Sequence, residues 1–61
     1  MQLTREERQA VAYLELAASM HEMVANTDQD LAEEQVRIRI EAARELRNAA
    51  EAIRRGEHRN Q

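Results

Sequence analysis

Two stretches of this 61-residue chain read as helices, and each is apolar over far more of its circumference than a lone helical hairpin can cover. At 100° per residue, Leu3, Ala10, Tyr13, Leu14, Leu16, Ala17, Met20, Met23 and Val24 spread over roughly 200°, against the stripe of about 100° that a one-sided surface helix needs. One partner helix buries only part of that arc. The pattern demands a second contact surface, supplied by a copy of the chain or by another protein.

Length sharpens the demand, because a chain this short buries only about 60% of its unfolded surface and usually needs a disulfide, a metal or association to be stable. Cysteine is absent, which removes disulfides and thiolate zinc sites and leaves association. Phe and Trp are also absent and Tyr13 is the only aromatic residue, so any core is built from Leu, Ile, Val, Met and Ala. The net charge of −3 argues against a dedicated nucleic-acid binder. All nine basic residues are Arg, which excludes lysine amine chemistry and is most simply a matter of genomic base composition. No run of 18 apolar residues occurs, and Arg5, Glu6, Glu7 and Arg8 stand where a signal peptide would be apolar, so a cytoplasmic protein without a membrane partner is expected.

Thr4-Arg5-Glu6-Glu7 is a capping box, with the Thr4 hydroxyl placed to accept from the Glu7 amide and the Glu7 carboxylate to reach back. Helix formers then continue to about Ala25. Asn26-Thr27-Asp28-Gln29-Asp30 is the one polar turn cluster, and a Thr27 cap would place Asp30 in a second capping box. The spacing thus predicts a helical hairpin over residues 1–56, with helices at about 4–25 and 29–55 around a turn at 26–28. Gly56 ends the second helix as a left-handed residue, and 57–61 form a flexible tail. One segment competes, since Val36-Arg37-Ile38-Arg39-Ile40 alternates with the period of a strand. It lacks flanking turn residues and runs into strong helix formers, which favours helix.

A short turn makes the helices antiparallel neighbours, and a turn at 26–28 pairs residues whose numbers sum to about 54. Met23 then meets Leu31, Val11 and Ala12 meet Ala42 and Ala43, and Leu3 meets Ile53. Small residues at 10, 17, 42, 43, 49 and 50 form a seam that lets the axes approach closely. Leu14, Leu16, Met20, Met23, Val36, Ile38, Arg39, Ile40 and Leu46 are left as the oligomer or partner interface. The expected fold is all-α, an antiparallel two-helix hairpin that dimerises into a four-helix bundle.

Arg39 falls near the middle of the second helix's apolar arc, where an unpaired guanidinium is costly. It either snorkels or pairs with Glu15 or Gln35, or it pairs across an interface and sets register. His21 borders the apolar face, with no acidic or histidine residue three or four positions away, and reads as a boundary histidine rather than a metal ligand. Arg37, Arg44 and Arg55 align on the outer face of the second helix with Arg54 to one side, a stripe able to contact nucleic acid or an acidic partner. Helical spacing also pairs them internally as Glu33 to Arg37, Glu41 to Arg44 and Glu51 to Arg55. Arg54, Arg55 and Arg59 make the C-terminal end the one locally basic stretch. Met20 and Met23 suit an adaptable docking surface as well as ordinary packing.

Length, hairpin and alanine-rich seam resemble small plasmid-type RNA-binding helical hairpins of the Rop kind, and that resemblance implies a dimeric bundle and RNA as partner. No nucleophile stands beside a base and no glycine-rich phosphate loop occurs, so no enzyme, cofactor, metal or small-molecule substrate is expected. The leading expectation is a homodimeric interaction module that regulates, inhibits or scaffolds a larger protein. RNA binding through the arginine stripe and a structural subunit of a heteromer are the alternatives.

Overall fold

The computed structural model describes residues 2–60, with side chains to His58. It consists of helix α1 (Arg5–Thr27), helix α2 (Glu33–Arg54) and a short 3-10 helix η1 (Glu57–Asn60). The chain is all-helical among the described residues, and the alternating segment Val36 to Ile40 lies inside α2.

The N-terminal cap forms as the sequence predicts. The Glu7 amide donates to Thr4 Oγ1 at 3.1 Å and the Thr4 amide donates to Glu7 Oε1 at 2.8 Å. At the other end Gly56 has φ 74°, a conformation that costs any residue with a Cβ, and its amide donates to the Ile53 carbonyl to close α2.

The turn differs from the expected one. Thr27 does not cap α2; its hydroxyl donates back to the Met23 carbonyl at 2.7 Å, and α1 runs on to Thr27. Asp28 then turns the chain by accepting the Asp30 amide on Oδ1 at 3.0 Å. This uses the local polar side chains at 28–30, and α2 starts only at Glu33, after Ala32, which offers no side-chain cap. The turn therefore spans 28–32 rather than 26–28.

Moving the turn moves the register. The side-chain contacts that cross the hairpin join Arg39 to His21, Arg47 to Glu22, Arg54 to Glu15 and His58 to Glu7, pairs whose numbers sum to between 60 and 69 rather than 54. The buried positions are Val11 and Ala18 on α1 and Ala43 and Ala50 on α2, each pair one heptad apart. Half-buried Leu14 and His21 fill the alternate seam positions of α1, and Arg39, Leu46 and Ile53 those of α2. Of the six expected seam alanines only 43 and 50 are buried, and Ala18 takes the central place.

The observed register redistributes the partners of the charged side chains. At a sum of 54 Arg39 would lie opposite Glu15; at 60 it lies opposite His21, whose ring nitrogen receives it, and Glu15 is left to Arg54. Glu15 and Glu22, seven apart, reach Arg54 and Arg47, also seven apart, in pairs whose numbers sum to 69.

The hairpin is a slab of 43 × 20 × 12 Å, only one helix thick. Its radius of gyration is 13.8 Å, against about 10.5 Å for a compact domain of this length. Among the described residues no large side chain is fully buried. Residues 57–60, expected as part of a flexible tail, form η1, and His58 Nε2 lies 2.6 Å from Glu7 Oε2. Gln61 and the side chain of Arg59 lie outside the described residues.

Candidate interaction faces

The seam sets a direction for every other side chain. With Val11 and Ala18 aimed at α2, the rotation of 100° per residue carries Ala10, Ala17 and Val24 to one flank of the slab. It carries Glu15 and Glu22 toward the other, and Tyr13, Leu16, Met20 and Met23 outward. On α2 the same construction from Ala43 and Ala50 puts Ile38, Ala42 and Ala49 on the first flank. Arg47 and Arg54 fall on the second.

The second flank is closed electrostatically. Arg47 bonds Glu22, Arg54 Nη2 lies 2.6 Å from Glu15 Oε2, and Arg54 also reaches Glu51 at 3.4 Å. Hydrogen bonding to Glu22 and to Glu15, followed by the charge of the same carboxylates, raises the Arg47 and Arg54 guanidinium pKa values above the usual arginine range. Glu15 is thus the partner of Arg54, not of Arg39. Arg55 pairs with Glu57 at 3.1 Å, so the expected Glu51 to Arg55 pair is replaced by two others.

The first flank is apolar. Between the seam and the outer borders, marked by Glu6 and Glu45, its charged groups are confined to the layer of His21 and Arg39. Arg39 Nη1 donates to His21 Nδ1 at 3.3 Å. A guanidinium can only donate, so Nδ1 is the acceptor in this contact. Ala17, Met20, His21, Val24 and Arg39 line a shallow notch there. Arg39 therefore has a partner within the hairpin that the sequence reading did not match to it. Two polar residues at equivalent heptad positions, 21 and 39, were the signal.

The nine residues expected at one interface are divided among four places. Leu14, Val36, Leu46 and Arg39 are half-buried in or beside the seam. Ile38, half-exposed, belongs to the apolar flank, while Ile40 sits on the ion-paired side and lines an open groove along α2 with Val36, Arg37 and Arg44. Leu16, Met20 and Met23 stand on the outer face of α1 at about 60% exposure, beside Tyr13 at 71%. These four recur at 13, 16, 20 and 23, a heptad stripe separate from the hairpin seam.

The arginine stripe is likewise divided. Arg54 and Arg55 are engaged by carboxylates, whereas Arg37 and Arg44 have no carboxylate within 4.0 Å among the described residues. The expected Glu33 to Arg37 and Glu41 to Arg44 pairs do not form. No helix among the described residues is long and apolar enough to cross a membrane. Comparison of the chain with protein-family models, with curated proteins and with solved structures finds no match.

Proposed function

We propose that the chain is a non-enzymatic helical interaction module that acts as a homodimer. A second hairpin covers the apolar flank to complete a four-helix bundle, and the outer α1 ridge of Leu16 and Met23 docks on a larger protein that the dimer regulates, inhibits or scaffolds. One observation carries the dimer. The accessible surface is 4976 Å², about 900 Å² more than a compact monomer of 7.1 kDa exposes. That surplus, and the area of a 43 by 20 Å face, both match the roughly 800 Å² per partner buried in a stable interface.

Light scattering coupled to size exclusion tests this, with a mass of about twice 7.1 kDa expected throughout a dilution series. A folded 7.1 kDa monomer overturns the dimer. The double substitution Leu16→Asp/Met23→Asp should leave that mass unchanged while abolishing capture of the partner protein. Loss of the dimer instead would assign the ridge to self-association.

Arg37 and Arg44, unpaired on the outer face of α2, support a second reading in which the dimer binds structured RNA. Binding that weakens steeply with salt and disappears in Arg37→Glu/Arg44→Glu would establish it. Absence of binding at low salt would remove it. If the chain is instead a subunit of a heteromer, the isolated protein stays unfolded until its partner is added.

A further inference from the structure

Resting on the homodimer proposed above, we infer that the two hairpins pack head to tail, with their interhelical loops at opposite ends of the bundle. The apolar flank is uneven along its length, and this orientation sets each of its layers against an unlike one. Near the loop it carries the larger Val24 and Ile38 and the layer of His21 and Arg39. Toward the termini it carries the small Ala10 and Ala49, the layer of Leu14 and Leu46 and, at its end, Ile53. Ala17 and Ala42 lie midway, close to the centres of α1 (Arg5–Thr27) and α2 (Glu33–Arg54).

Full overlap of two such faces puts the twofold axis beside Ala17 and Ala42. With the axis across the helices, Val24 of one protomer meets Ala10 of its partner and Ile38 lies over Ala49, so large side chains fill the space above small ones. His21 and Arg39 then lie over Leu14 and Leu46 of the other protomer, which accept the flat ring and the aliphatic stem of the guanidinium.

With the axis along the helices, the loops share one end and each layer meets a like one. Val24 and Ile38 crowd together, Ala10 and Ala49 face each other across a gap, and two guanidinium groups enter one cross-section. No carboxylate of this flank answers them, because Glu15 and Glu22 are turned to the other side and held by Arg54 and Arg47. Head-to-tail packing separates the two cationic layers by about 10 Å, one heptad of helix rise.

The chain contains no cysteine, so Gln29→Cys places a single thiol for a spin label in the exposed loop. Double electron-electron resonance on the full-length labelled protein, with light scattering on the same sample, reads the arrangement. The expected result is a dimer mass with a label separation near the 43 Å length of the slab. A dimer mass with labels within about 20 Å, the width of a helix bundle, overturns the head-to-tail packing and leaves the homodimer standing. A monomer mass without dipolar coupling overturns both. Asn26→Cys, exposed at the end of α1 nine residues from Ala17, provides an independent label, with about 27 Å expected for head-to-tail packing and a separation within about 20 Å overturning it.

Discussion

On one flank of the hairpin Glu15 and Glu22 are met by Arg54 and Arg47, whereas the opposite flank presents Ala10, Ala17, Val24, Ile38, Ala42 and Ala49 and interrupts them with Gln35 and the layer of His21 and Arg39. Both flanks belong to the same pair of helices, yet only the first can be completed by a chain this short. Charges there need one opposite charge and water, and both are at hand. Methyl groups gain nothing from water and must be covered by further surface, which a slab 12 Å thick does not contain. This difference between the flanks is what would give the proposed dimer interface its side of the hairpin.

The sharpest way to break this comparison is to remove the seam from which both flanks are defined. Ala18 has no exposed surface, so Ala18→Leu should push the helices apart and destabilise the fold by about 1–3 kcal/mol, read as a lower melting temperature by circular dichroism. An unchanged melting curve would mean that Ala18 does not sit between the helices. Next comes a matched pair on the two flanks. Ala17→Glu on the apolar side should weaken the dimer at least tenfold, about 1.4 kcal/mol, by burying a carboxylate at the interface. Ala12→Glu, exposed on the ion-paired side, should leave the mass at every dilution unchanged. Equal effects from the two would erase the distinction.

Arg39→Leu asks whether the polar layer sets register rather than stability. Helicity should persist, while spin labels on α1 and α2 should report a second hairpin population displaced by about 10 Å, one heptad of rise. A single unchanged distance would assign the register to the Glu15 and Glu22 pairs instead. The smallest effect belongs to Glu22→Gln, which should lower the melting temperature by less than about 5 °C, and by less still in 1 M salt, because the Arg47 pair is solvent-exposed.

Much of the outline was legible in the residues, and the errors share a source. Thr4 with Glu7 and the lone Gly56 announce helix ends because capping acts over three or four residues and needs no tertiary partner. Thr27 misled because a hydroxyl at a helix end can bond forward as a cap or backward to the carbonyl four residues earlier, and both choices are local. The wide apolar arcs were visible, but assigning Leu16, Met20, Met23, Ile38 and Ile40 to a single interface required knowing which way the seam points. Ala18, overlooked as one small residue among many, acquires its role only when Ala43 and Ala50 lie across from it.

By itself the sequence determined two amphipathic helices, their outer limits and an excess of apolar surface, since these follow from residue type and from the angular period of the helix. Tertiary structure alone decided the axial offset of α2 on α1, and with it the pairing of Arg39 with His21, of Arg54 with Glu15 and of Arg47 with Glu22. The physical reason is that helical periodicity specifies directions around an axis but not positions along it. A heptad pattern is nearly unchanged by a slip of seven residues, and only contacts across the seam distinguish one register from the next.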